Sequence, residues 1–164
     1  MSIEPLLARV RLVVFDFDGV FTDNRVWVGE NGEEFVSCLR SDGFGLRRLD
    51  EVGVQSLILS TEERGAVAAR ARKLGVPCRH GLADKLVVLR EEARARGIPL
   101  DDVSYVGNDI NDSTCLEAVG LPVVPADAWA EVVPLARLVL ERRGGEGCVR
   151  ELCDAIWAAK RAAA

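Results

Sequence analysis

The stretch LVVFDFDGVFTD, Leu12 to Asp23, runs a continuous apolar segment into two carboxylates one residue apart, then a glycine and two more apolar residues. A short apolar run without polar breaks suits a parallel strand buried on both faces. Side chains alternate along a strand, so Asp16 and Asp18 are expected to point the same way at its end, with Phe17 turned into the core. One acid there is readily a cap or turn residue before Gly19. Two acids straight after a buried run point to chemistry.

Outward from this stretch, strand and helix periods alternate. GFGLRRLDEVG (43–53) has helical spacing at Phe44, Leu46, Leu49 and Val52 and stops on Gly53. QSLILST (55–61) reads as a strand, EERGAVAARARKLG (62–75) as a helix closing on Gly75, and PCRHG (77–81) as a short strand. ADKLVVLREEARARG (83–97) is helical, DVSYVGND (102–109) a strand, DSTCLEAVG (112–120) a helix, LPVV (121–124) a strand and DAIWAAKRAAA (154–164) a final helix. The alternation predicts an α/β, doubly wound, Rossmann-like parallel sheet. NRVWVGENGEEFVSCL (24–39) breaks it: Val26 and Val28 alternate before the turn and Phe35 follows, which predicts an inserted β-hairpin. Ligands of doubly wound sheets sit at the carboxyl ends of the strands, so a hairpin inserted there is placed as a flap.

With 164 residues, 49% of them hydrophobic, the chain fits one globular domain over 1–164. No apolar run approaches the ~20 residues of a membrane span. The opening MSIEPLLARVRL lacks the basic start and long apolar run of a secretory leader. A net charge of −5 speaks against a nucleic-acid partner but not against a small anionic substrate. Cys38, Cys78, Cys115, Cys148 and Cys153 are odd in number, irregular in spacing and free of C-x-x-C, which predicts reduced cysteines of a cytoplasmic protein.

Other strand ends carry polar groups. The second full strand ends in Ser60-Thr61, GNDIND (107–112) follows a later one, and Lys85 opens a helix. Singly these read as a helix cap, a polar loop and a surface lysine. Together they surround one end of the sheet. Transfer of a phosphoryl dianion to a carboxylate requires Mg²⁺ on a few protein oxygens to cancel repulsion. It requires a lysine and a hydroxyl on the phosphate oxygens. A second acid must protonate the leaving oxygen and then activate water. These residues supply each part.

DFDGVFTD, LILST, ADKL and GNDIND resemble, in order, the four motifs of haloacid dehalogenase-like (HAD-type) phosphatases. The hairpin, SDGFGL (41–46) and RRGGEG (142–147) narrow the resemblance to a capless branch acting on ulosonic acid phosphates, such as 3-deoxy-manno-octulosonate 8-phosphate and nine-carbon sialic acid 9-phosphates. The resemblance implies that Asp16 is nucleophile and metal ligand. It implies that Asp18 is the acid/base, with its carbonyl on the metal, and that Ser60 and Lys85 bind phosphate. Asp42, Gly43, Thr61, Glu62, Arg70 and Lys73 are then substrate-binding candidates. Glu62, followed by basic Arg70 and Lys73, is similar to the nine-carbon members. On a helix Glu62 and Arg70 would lie two turns apart on one face. The fourth motif usually begins Gly-Asp, the Asp binding Mg²⁺. Here Asn108 holds that place, with Asp109 beside it as a second candidate ligand, and Asp109 and Asp112 are the acids expected to compensate for the charge that Asn108 lacks. Ser41 stands where members often have Arg before Asp42-Gly43. Branch members are similar to homotetramers, and the hairpin and the segment around Trp157 are the expected contact surface. Two other readings stay open: a catalytically weakened assembly domain associated with a sialic acid cytidylyltransferase, and a phospho-accepting receiver domain, against which D-x-D and the hairpin speak.

Overall fold

The computed structural model describes residues 2–63 and 65–163. Strands β1 (Leu12–Phe15), β4 (Gln55–Leu59), β5 (Cys78–Arg79), β6 (Val103–Val106), β7 (Leu121–Val124) and β8 (Leu138–Val139) form one parallel sheet in the order β5-β4-β1-β6-β7-β8. The chain winds outward from β1 to β5, then crosses back to lay β6 against the other side of β1. The crevice at the carboxyl ends of β1 and β6 is therefore the topological switch point.

Along β1 the side chains alternate between two cores. Val13 and Phe15 join Phe17, Phe21 and Val67. Leu12 and Val14 join Leu89, Tyr105 and Leu116. Helices α1 (Glu4–Arg9), α2 (Asp42–Glu51), α3 (Gly65–Leu74) and α6 (Cys148–Ala163) belong to the first face, and α4 (Lys85–Ala95) and α5 (Ser113–Ala118) to the second. Asp16 shares the parity of Leu12 and Val14 and so turns toward α4 and α5.

The hairpin is present as β2 (Trp27–Val28) and β3 (Glu34–Phe35), pairing Trp27 with Phe35 and Val28 with Glu34. An antiparallel bridge from Thr22 to Cys38 closes its base. Four of its apolar side chains stand in solvent: Val26, Trp27, Val28 and Phe35 are 50–74% exposed. Trp157 is half-buried against its own chain. Arg48 and Arg161 stack on its ring at 4.8 and 4.6 Å, and its indole N–H donates to Glu51 Oε2.

Several boundaries differ from the sequence expectation. Helix α6 begins at Cys148, because Cys148, Val149, Leu152, Cys153 and Ile156 continue its buried stripe. Helix α3 is described from Gly65, so Glu62 lies ahead of it and the two-turn relation to Arg70 does not apply. Helix α1 and strand β8 were not expected. Among the described residues no helix is long and apolar enough to cross a membrane.

Candidate active site

Past Phe15 the chain stays paired for one more residue, the Asp16 N–H donating to Val106 O. It then turns sharply. Phe17 O accepts the N–H groups of Val20, Phe21 and Thr22, which buries Phe17 and lifts Asp18 to the rim. The Thr22 hydroxyl organises this turn. It accepts from the N–H groups of Gly19 and Asn24 and donates to Asp18 Oδ1. Two close approaches explain the glycines. A Cβ on Gly19, whose φ is +82°, would sit 2.1 Å from Asn108 Nδ2. One on Gly144, in the RRGGEG segment, would sit 2.0 Å from the Gly19 carbonyl oxygen.

Lys85 is the first residue of α4, set there by the Asp84 cap, whose carboxylate accepts from the N–H groups of Leu86 and Val87. Far from being a surface lysine, it is 3% exposed. Its Nζ donates to Asp16 Oδ1 and to Asp112 Oδ1, each at 2.8 Å. One ammonium thus faces two carboxylates, leaving a buried excess of negative charge. Asp16 is pushed up to about 7 by burial first and Asp112 second, against the pull of Lys85. Burial depresses Lys85, but the two carboxylates outweigh it and hold its pKa above the ordinary value. Asp18 is also raised, by burial first; the Thr22 hydroxyl opposes this and Glu62 adds to it. That direction suits a group that must carry a proton before giving it up.

GNDIND forms a tight turn. Asp109 caps its 3₁₀ segment (Ile110–Asp112), one oxygen taken by the Ile110 N–H. Asp112 is fully buried: Oδ2 accepts from the N–H groups of Asn108 and Asp109, while Oδ1 accepts from Lys85 and from the Tyr105 hydroxyl. Asn108 is 5% exposed, and its Oδ1 is buried with no hydrogen-bond partner among the described residues. A buried orphaned oxygen is costly unless something absent from the protein, such as a cation, satisfies it. With Asp16 beside it and an uncompensated negative charge, the donor set fits a hard divalent ion.

Ser60, also buried, is held at the end of β4 through its N–H to Arg79 O and its carbonyl from Leu82 N–H. Its Oγ accepts from the Glu62 N–H. A cleft of about 490 Å³ lies between hairpin and α3, lined by Asp18, Phe35, Glu62 and Ala66 among others. An adjoining groove of about 540 Å³ continues along Phe35 and Cys38 to Arg70 and Lys73. Glu62, Arg70 and Lys73 therefore line one continuous trough under the flap. Arg70 also donates to Leu39 O, tying the far end of the hairpin segment to α3. Thr61 is exposed beside Ser60. Asp42 and Gly43 line neither cleft. Asp42 is buried at the start of α2, pushed up to about 6 by burial with Arg70 and Arg150 opposing. Sequence reasoning missed Thr22 and named Asp112 only as a compensating charge, not as the partner of Lys85 and Tyr105. The acid five residues after Gly107 was visible, but its partners come from distant elements.

No family model matches the chain. It is 35% identical over 147 residues to the 3-deoxy-D-manno-octulosonate 8-phosphate phosphatase of Salmonella typhi, covering 89% of this chain and 78% of that protein. A crystal structure from Streptomyces avermitilis, described as a HAD family hydrolase, is 45% identical with a TM-score of 0.87, covering 90% of this chain and 84% of that one. The 3-deoxy-D-manno-octulosonate 8-phosphate phosphatase of Moraxella catarrhalis, solved with magnesium, phosphate and the octulosonate sugar KDO, is 26% identical with a TM-score of 0.93, covering 97% and 92%.

Proposed function

The chain belongs to the haloacid dehalogenase-like phosphatases and is a phosphoric monoester hydrolase, and on that footing we propose that it removes phosphate from a ulosonic or sialic acid 8- or 9-phosphate with Mg²⁺ bound. The observation that carries this reading is the buried Asp16–Lys85–Asp112 triad beside the unpartnered Asn108 oxygen. Asp16, the Asp18 carbonyl and Asn108 would hold the metal. Asn108 is favoured over Asp109, because the Asn108 oxygen is buried and unpartnered while one Asp109 oxygen caps the following turn. Mg²⁺ supplies the positive charge that lets an anionic nucleophile approach an anionic phosphate.

Asp16 attacks phosphorus as the bond to the sugar oxygen breaks, and Asp18 gives that oxygen its proton. Lys85 and Ser60 hold the non-bridging oxygens. Asp18 then takes a proton from water, the water attacks the aspartyl-phosphate, and free Asp16 returns. The trough carrying Arg70 and Lys73 supports an anionic substrate tail, as the carboxylate of a sugar acid would be. The Salmonella and Moraxella relatives named above act on or bind the eight-carbon acid, and Glu62, in the cleft adjoining that of the basic pair, supports the nine-carbon one. We place the protein in the cytoplasm, where its five free cysteines stay reduced. We propose a single domain that assembles as a homotetramer through the exposed hairpin.

Phosphate release from a panel of sugar phosphates, eight- and nine-carbon acids included, with Mg²⁺ and with chelator, tests the reading. Asp16→Asn should abolish turnover with an unchanged circular dichroism spectrum. Turnover surviving in that variant removes the mechanism. The neutral Asn108 favours one other reading, an assembly domain of low activity; it gains if no panel member turns over.

A further inference from the structure

Tyr105 is the only tyrosine in the chain and is fully buried on β6. It follows Ser104 on that strand, shares a face with Val103, and packs in a core cluster with Leu89 and Leu116. A tyrosine in such a place must find a partner for its hydroxyl. It donates to Asp112 Oδ1 at 2.6 Å, the same oxygen that accepts from Lys85 at 2.8 Å. The Cys115 thiol lies beside that hydroxyl but is no competing anion, since burial and then Asp112 push it up to about 12.

The geometry gives the hydroxyl a task. The N–H groups of Asn108 and Asp109 fix only Asp112 Oδ2. Those two bonds leave the carboxylate free to tilt about that end. The Tyr105 bond, from a rigid central strand, fixes Oδ1. Lys85 reaches the site on a four-carbon stem with substantial rotamer freedom. A fixed Oδ1 anchors its ammonium 2.8 Å from Asp16. We propose that Tyr105 is a positioning residue. Its hydroxyl locks the Asp112 carboxylate, and Asp112 holds the Lys85 ammonium where it meets both the nucleophile and the phosphate. The phosphate half of this rests on the phosphatase reading; the tether from Tyr105 to Lys85 does not.

Tyr105→Phe keeps the ring and removes the hydroxyl. The tether predicts that kcat falls roughly tenfold while KM stays within about twofold, since the loss is of alignment and not of binding. A tyrosine that only fills the core predicts unchanged kcat per folded molecule. The independent readout is the ¹⁵N–¹H signal of the Lys85 ammonium in the metal-free protein. The chain has three lysines, so Lys73 and Lys160 serve as internal references. The tether predicts a shifted or faster-exchanging Lys85 signal in Tyr105→Phe. A Lys85 signal left in place overturns the proposal, whatever the turnover. If the wild type releases phosphate from no substrate, the phosphatase reading falls, while the signal comparison still decides the tether. Should Tyr105→Phe not fold, replacing the single tyrosine by 3-fluorotyrosine keeps the hydroxyl and makes it more acidic. The Lys85 signal must then move as well, and an unmoved one again overturns the proposal.

Discussion

Replacing Lys85 by methionine removes one charge from a buried set of three and keeps most of the stem. The side chains of Lys85, Asp16 and Asp112 are 1%, 7% and 0% exposed, so water cannot screen what remains. The two carboxylate oxygens can be no further apart than twice 2.8 Å, because both bond the same nitrogen. Like charges at that separation repel by about 3 kcal/mol at an effective dielectric of about 20. Measured losses from breaking a buried pair run at about 3–5 kcal/mol, so the expected cost with both carboxylates ionised is about 3 kcal/mol or more. The cost has a signed pH dependence. Asp16 stands at about 7 with Lys85 present and must rise further without it. An acid whose folded pKa exceeds its unfolded value of ~3.9 binds its proton more tightly when folded, so stability is lost as pH rises through the folded pKa. The deficit of Lys85→Met relative to the wild type should therefore be smallest near pH 5 and grow by about 1.4 kcal/mol per pH unit above 7, until Asp16 ionises in the variant as well. Urea unfolding followed by tryptophan fluorescence, with chelator present, measures it by linear extrapolation. A loss under about 1 kcal/mol at pH 8, or one of equal size at both pH values, would refute the buried-triad reasoning.

Asn108→Asp adds a formal charge at the proposed metal site and should tighten Mg²⁺ binding by calorimetry, whereas Asp109→Ala should change it little. The reverse pattern would make Asp109 the ligand. Gly19→Ala should lower both stability and metal affinity, because its Cβ would overlap the Asn108 amide at a positive φ; unchanged values would mean that the turn has room to move. Sedimentation should give a tetramer at micromolar concentration, and Trp27→Ser together with Phe35→Ser should dissociate it. A wild-type monomer would leave the exposed hairpin without the proposed role.

Much of this protein is legible in the chain itself, because its decisive signals are local. The run that became β1 is apolar without interruption, as a parallel strand covered on both faces requires, and those that became β4, β6 and β7 keep an apolar majority. Asp16 with Asp18, Ser60, Lys85 and GNDIND each lie where a strand ends or a helix begins, so winding the chain into a parallel sheet brings them to one edge. Where no local signal exists, packing decided. Helix α1 has six residues, too few to hold by propensity, and forms by lying on α6. Strand β8 has two residues and exists through its pairing with Val123 and Val124. The start of α6 was readable from Cys148, Val149, Leu152 and Cys153, but only if the cysteines are counted as apolar. Glu62 and Arg70 line adjoining clefts under the hairpin and do not share a helix face. Composition ranks the two acids of GNDIND equally. Asp109 is drawn outward to cap a turn, and Asp112 is drawn inward by Lys85, 27 residues earlier, and Tyr105, 7 residues earlier. Their separate roles follow from a balance of buried charge and hydrogen-bond donors that distant elements supply, and that balance exists only once the sheet has closed around it.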